Sequence, residues 1–227
     1  MTTRFLTAAI AAATLAGGGW YLAATQPGLS PVGAAMAQDA HSGGDMATGG
    51  DADAIDDIAL GDADAPVTII EYASFTCPHC ARFHETVFPD LKADYIDTGQ
   101  VRFVTREVYF DAYGLWAGLL ARCGSDEERY YAIVDMIYER QSDWTSGEPA
   151  EVGDNLRRIG RLAGMDNAQI DACLQDEATA EAMVARYQQN MAEYDVSGTP
   201  SFVINGELHS NMGYADMAEI IDGHLEE

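Results

Sequence analysis

The sequence predicts an α/β fold in which a helical block interrupts a small sheet. Three observations carry this. A β-branched apolar run, Val67-Thr68-Ile69-Ile70-Glu71-Tyr72, leads into a helical pattern of Phe83, Val87 and Leu91 with Phe88 and Tyr95 beside them. The period then stays helical from about residue 111 to about residue 195. Strand character returns only at Ser201-Phe202-Val203-Ile204, where Asn205-Gly206 is a hairpin turn into Glu207-Leu208.

A chain of 227 residues holds one well-buried domain plus a targeting segment. The opening Met1-Thr2-Thr3-Arg4 precedes an uncharged, Ala- and Leu-rich stretch from Phe5 to Thr25, and Ala35-Met36-Ala37 follows. Residues 1–37 therefore read as a secretory signal cleaved before Gln38, or as a retained membrane anchor, since the uncharged stretch has the length of a bilayer span. Either way the body of the protein is expected to be exported, and an even count of four cysteines suits an oxidising compartment. Residues 38–57 are rich in Asp, Gly, Ala and Ser and bury too little to offset their ordering entropy, so a flexible acidic linker is expected there, with His41 merely solvated. Net charge is −25 and Lys92 is the single lysine, which excludes nucleic-acid binding through phosphate contacts.

The folded part is expected over 58–227 with the helical insertion at about 111–195. Its first helix should run from Pro78 to about Tyr95 and bend or break at Pro89. Thr98-Gly99 turns into a second strand, Val101-Arg102-Phe103-Val104-Thr105. Within the insertion, Trp116, Leu119, Leu120 and Cys123 share one helix face, and Ser125 with Glu128 forms a capping box ahead of Ile133, Val134 and Ile137. Val152, Leu156, Ile159 and Leu162 make a further amphipathic helix that stops at Gly164. Asp166 with Gln169 caps the next, which carries Ile170, Cys173 and Leu174, and Met183, Tyr187, Met191 and Tyr194 complete the series. A closing helix turns Met217, Ile220, Ile221 and Leu225 inward.

The chemistry concentrates in Cys77-Pro78-His79-Cys80, which lies where the first strand meets the first helix. Pro78 fits the first helical turn, where its missing N–H is not needed. A cysteine at a helix N-terminus faces free N–H groups and the positive end of the helix dipole, which favour its thiolate. Cys77 is thus the attacking sulfur, His79 adds a cation when protonated, and Cys80 is the more sheltered resolving thiol. Stabilising the thiolate stabilises the dithiol form and makes the disulfide a stronger oxidant. Glu71, in an otherwise apolar strand, reads either as a buried general base with a raised pKa that exchanges a proton with Cys80, or as a solvated strand end. A zinc site on Cys77, Cys80 and His84 lacks a fourth ligand nearby, so no metal is expected. Cys123 and Cys173 fall on apolar helix faces. They are two core thiols or, as an oxidising compartment favours, a structural disulfide.

Phe75-Thr76-Cys77-Pro78-His79-Cys80, with Glu71 six residues ahead of Cys77 and Ser197-Gly198-Thr199-Pro200-Ser201-Phe202 before the third strand, resembles the DsbA family of periplasmic thiol:disulfide oxidoreductases over about residues 58–227. The resemblance implies a thioredoxin-like fold with a helical domain inserted between the second and third core strands. It also implies a cis Pro200 against the active-site disulfide and a buried acid at Glu71. Some DsbA-like proteins carry an extra cysteine pair in the helical domain, which supports pairing Cys123 with Cys173. One departure concerns Thr199: strongly oxidising members often carry Val there, whereas Thr is common in the isomerase branch, and its hydroxyl could hydrogen-bond a thiolate.

The expected activity is an exported dithiol oxidase that donates the Cys77–Cys80 disulfide to reduced or unfolded exported proteins through a mixed disulfide on Cys77. Clients would lie in an apolar groove around Phe75, Pro78, Thr199 and Pro200. The redox-active disulfide is the expected prosthetic element, with no other cofactor, and the protein is expected to work as a monomer in the periplasm. The resemblance further implies reoxidation by a DsbB-like, quinone-linked membrane partner. The alternatives are a reductase or isomerase kept reduced and, more distantly, a non-catalytic metal-binding or client-holding protein.

Overall fold

The computed structural model describes residues 50–123 and 126–226. The expected signal or anchor and most of the expected linker lie outside the described residues. Among the described residues no helix is long and apolar enough to cross a membrane.

Five strands form one mixed sheet: β1 (Ile58–Leu60), β2 (Val67–Ala73), β3 (Val101–Glu107), β4 (Ser201–Ile204) and β5 (Glu207–Ser210), in the order β1-β3-β2-β4-β5. Only β2 and β3 are parallel, so a crossover must join them. It consists of α1 (Pro78–Thr86), α2 (Phe88–Leu91) and a π-helical turn (Lys92–Ile96). The expected interruption falls at Val87, because Pro89 sits in the first turn of α2. The helical block follows β3: α3 (Ala112–Arg122), α4 (Glu127–Glu139), α5 (Gln141–Trp144), α6 (Pro149–Leu162), α7 (Asn167–Leu174) and α8 (Glu177–Glu193). The β4–β5 hairpin turns through Asn205 (φ 46°) and Gly206 (φ 93°), the left-handed pair that Asn-Gly supplies. Helix α9 (Tyr214–Leu225) closes the fold.

Several local expectations are corrected. Strand β1 is new: three residues show no period, and it exists because its backbone pairs antiparallel with β3, Ile58 opposite Thr105. Order also begins earlier than Ile58. Asp51 caps a 3₁₀ turn at Ala52–Ala54, Asp57 accepts from Arg106, Ala52 is buried and Ile55 packs against the Leu115, Leu119 and Met183 cluster. Residues 51–57 are thus tied to the domain by capping, charge and a small apolar contact that the composition did not show. Helix α4 is capped by Asp126, which accepts from the Arg129 N–H; the expected capping residue Ser125 lies outside the described residues. Leu119 packs with Met183 rather than with Leu120, and Leu162, at the end of α6, is 57% exposed where the helix face has run past its neighbours. The box of Asp166 with Gln169 forms, and Gly164 takes a φ of 82° after α6.

Strand alternation sorts the core. Val67, Ile69 and Ala73 of β2 face the main cluster shared with α1, α4 and α6, while Ile70 and Tyr72 face a smaller one with Val108, Val196 and Val203. Two charge clusters centred on the buried Glu107 and Arg106 anchor the helices to β3, the second reaching partly exposed partners. Arg122 donates to both Glu107 oxygens at 2.8 and 2.7 Å, and Tyr130 Oη donates to Glu107 Oε1 at 2.8 Å. Arg106 reaches Asp57, Glu193 and the Tyr72 hydroxyl.

Cys123, at the C-terminal end of α3, and Cys173, in α7, form a disulfide with Cα atoms 5.8 Å apart, 50 residues apart in sequence. Closing a loop of that length removes denatured-state freedom worth about 4 kcal/mol. Cys123→Ser with Cys173→Ser is expected to lower unfolding stability by about that amount, measured by urea unfolding, with the far-ultraviolet dichroism of the native state unchanged.

Candidate active site

Cys77 is the N-cap of α1 in extended conformation (φ −80°, ψ 119°), and Pro78 opens the helix. The Cys77 N–H bonds the Ser74 carbonyl at 3.1 Å, which closes the turn out of β2. The same inward face of α1 carries Cys80, Phe83 and His84, one helical turn deeper. Cys77 is half-buried, Pro78 and His79 are exposed, and Cys80 is sealed from solvent; the two cysteines stand as thiols.

The two sulfurs are driven apart in acidity. The hydrogen bond with Cys80 is the largest influence on Cys77 and lowers its pKa from the ordinary 9.0 to about 5. Partial burial opposes this, while the Thr199 hydroxyl and the backbone N–H groups of Cys80 and His79 reinforce it. Cys80 moves far upward, first through the same hydrogen bond, then through burial and the negative charge of Glu71. His79 thus serves Cys77 through its main-chain N–H, while its side chain points into solvent.

Period-2 alternation puts Glu71 on the β2 face covered by α1, and the residue is 0% exposed. The solvated strand-end reading is therefore corrected: burial is complete. Its partner is His84, which the sequence offered only as a zinc ligand. His84 Nε2 lies 2.9 Å from Glu71 Oε2. The imidazole stacks on Tyr138 at 4.2 Å between centroids and lies 4.8 Å from Phe88. Glu71 Oε1 and His84 Nδ1 are buried with no hydrogen-bond partner among the described residues. Burial, followed by the nearby Cys80 and Glu71, holds Tyr138 well above the ordinary phenol range, so it stays neutral. The signal for His84 was present in its position four residues after Cys80, but only the β2–α1 packing shows which acid it meets.

The Thr199–Pro200 peptide is cis, and the Cys77 thiol donates to the Thr199 carbonyl oxygen at 3.4 Å. Pro200 is buried and Thr199 half-buried. The expected groove is corrected at Phe75: its ring is 1% exposed and lies 5.5 Å from Tyr138, because the chain leaving β2 turns it into the core. The exposed aromatic nearby in sequence to this loop's support is Phe110, at 53%. It precedes Asp111, which accepts from the Thr76 hydroxyl at 2.6 Å and from the Gly114 N–H at 2.8 Å, joining the active-site loop to the start of α3. Chemically, this arrangement offers one accessible thiolate, one sheltered thiol that readily holds a proton, and a buried acid within electrostatic reach of the latter.

A thioredoxin family model matches residues 53–223, three quarters of the chain. The chain belongs to the thioredoxin family. A Rickettsia bellii relative, whose name places it provisionally among protein-disulfide oxidoreductases, is 35% identical over 171 residues, covering 75% of this chain and 65% of the relative. This thioredoxin-family chain spans 61 to 65% of the length of its Rickettsia relatives. The solved alpha-DsbA1 of Wolbachia pipientis is 28% identical with a TM-score of 0.68, covering 74% of this chain and 90% of that one. A structure named as a protein-disulfide isomerase from Novosphingobium aromaticivorans is 25% identical with a TM-score of 0.64, covering 75% and 98%. Within the thioredoxin family the chain is DsbA-like, with the helical block of that group between β3 and β4.

The Cys77 shift carries a sign. A thiol whose folded pKa is lowered stabilises the dithiol protein above the unfolded thiol range, and that stability is lost as pH falls through about 5. The ultraviolet thiolate absorbance of the reduced protein is expected to titrate with a midpoint near pH 5. The gap in unfolding stability between the reduced and oxidised forms is expected to move against the reduced form as pH falls from about 9 to about 5.

Proposed function

We propose that this chain is an exported protein dithiol oxidase, a reading carried by the unequal fate of its two thiols. Cys77 is accessible and held as a thiolate, whereas Cys80 is buried and holds its proton. In the oxidised enzyme a client thiolate attacks Cys77 Sγ. The Cys77–Cys80 bond breaks, the client–Cys77 bond forms, and Cys80 leaves as a thiolate that takes up a proton. Glu71 is the donor on this route and takes that proton back during reoxidation, with His84 as its hydrogen-bond partner. A second client thiolate then attacks the client's own sulfur, and Cys77 departs as a stable thiolate. Two electrons have passed from the client to the Cys77–Cys80 pair, and the client holds the new disulfide.

Clients are reduced or unfolded exported proteins, held against Pro78, Thr199, Pro200 and the exposed Phe110. Reoxidation falls to a quinone-linked membrane partner of the DsbB type. Residues 1–37 direct export to the periplasm or tether the domain to the inner membrane, and the acidic segment after them spaces it from that point. A second reading, isomerase or reductase, is favoured by Thr199, whose carbonyl and hydroxyl both engage Cys77. Equilibration with glutathione separates the two. An oxidase is expected above about −200 mV, and a value near the thioredoxin end, about −270 mV, would replace it with the second reading. Cys77→Ser is expected to abolish oxidation of a reduced client peptide. Glu71→Gln is expected to slow it about 100-fold at neutral pH with the unfolding midpoint of the oxidised form retained; an unchanged rate would remove Glu71 from the proton route.

A further inference from the structure

The helical block touches the active-site loop at one side chain whose chemistry the exchange cycle above leaves unused. Gln141, the first residue of α5, places Nε2 2.7 Å from the Phe75 carbonyl oxygen and 3.0 Å from the Cys77 carbonyl oxygen. Both partners only accept, so the side-chain amide meets them with its nitrogen and commits both N–H groups there. The short helix that carries it is itself held. Trp144, 1% exposed, donates its indole N–H to the Ile137 carbonyl at 2.8 Å, and the Thr145 hydroxyl bonds the Gln141 carbonyl at 2.7 Å. Asn155 in α6 donates to the Asp143 carbonyl at 3.3 Å and ties α5 to the next helix.

We infer that Gln141 is a positioning residue for the reacting sulfur, through which the inserted helical block sets the geometry of the Cys77 loop. The inference rests on the reading of Cys77 as the attacking thiolate. The Cys77 carbonyl already receives the Ala81 N–H at 3.2 Å, the first bond of α1, and Gln141 occupies its remaining acceptor site. With the Phe75 carbonyl held from the same side, the peptide planes between Phe75 and Cys77 cannot rotate independently. The negative ends of two carbonyl dipoles are thereby kept on Gln141, and the N–H groups of His79 and Cys80 stay directed at Cys77 Sγ. Glutamine suits the task because it supplies two donors without a charge. An alanine frees both carbonyls, and a glutamate sets acceptor oxygens against them.

The test uses the full chain and three variants, Gln141→Ala, Gln141→Glu and Asn155→Ala, with two readouts: the pH midpoint of the Cys77 thiolate absorbance and the equilibrium constant with glutathione. Losing two neutral hydrogen bonds that favour the thiolate geometry is worth about tenfold. Gln141→Ala is therefore expected to raise the midpoint by about one pH unit and to shift the glutathione equilibrium about tenfold toward the protein disulfide. Gln141→Glu, which keeps the side-chain length and serves alone should the alanine variant fail to fold, is expected to move both at least as far in the same direction. Asn155→Ala loosens the same helix without touching either carbonyl and is expected to leave both at wild-type values. Wild-type values in the Gln141 variants, or an equal shift in Asn155→Ala, would overturn the inference while leaving the exchange reading intact. A wild-type chain with no thiolate transition below the ordinary cysteine range would instead overturn the reading of Cys77, and this inference with it.

Discussion

One helical turn separates the sulfurs of Cys77 and Cys80, yet they lie in different media, and the rest of the site is arranged around that difference. Cys77 stands at the solvent end of α1 among free N–H groups, where negative charge is favoured. Cys80 lies against the sheet beside Glu71, where a second negative charge is strongly disfavoured. One sulfur is then a good leaving group and the other a good proton acceptor, so a single hydrogen-bonded pair divides two roles that neither thiol would perform alone. The dithiol form benefits from the arrangement, because holding Cys77 as a thiolate stabilises it relative to the disulfide.

Keeping that difference requires a rigid junction between sheet and helix, and the chain supplies it from three directions. From below, β2 presents Glu71 to His84, whose ring is confined by Tyr138 and Phe88. From the side, Asp111 binds the Thr76 hydroxyl while capping α3, and Gln141 binds the loop carbonyls from α5. From the front, the segment before β4 brings Thr199 onto the Cys77 thiol. The helical block can act at this distance from its own core because it is fastened to β3 by Arg122 with Glu107 and Tyr130, and within itself by the Cys123–Cys173 disulfide. Breaking one partner of the Arg122–Glu107 pair leaves an uncompensated charge in a largely buried place, so the attachment of α3 to β3 is costly to release.

Much of this was legible because it follows from local rules. Pro78 after Cys77 marks a helix start, the box of Asp166 with Gln169 marks another, Asn205-Gly206 makes the tight turn it announces, and Pro89 interrupts the crossover helix. What escaped has long-range causes. Strand β1 is held by pairing with β3 and carries no period of its own. Phe75 looked like a surface aromatic until the turn out of β2 directed it under Tyr138. His84 looked like a spare metal ligand until β2 and α1 were packed face to face, and Gln141 is one polar residue in a helix of four.

By itself, then, the sequence determined the α/β order, the strand–turn–helix setting of Cys77-Pro78-His79-Cys80 and the presence of an acid in a strand that should be apolar. Those features depend on backbone propensity, side-chain period and capping, all of which act within a few residues. The sequence also pointed to Cys80 as the sheltered thiol and to Thr199 beside the cysteines. The tertiary structure alone decided that Cys80 is fully sealed, that Glu71 meets His84, that the Cys77 thiol meets the Thr199 carbonyl, and that Gln141 grips the loop from another part of the chain. Those pairings bring together groups 13, 122 and, for Gln141, 66 and 64 positions apart, and only the packing of a folded core selects them.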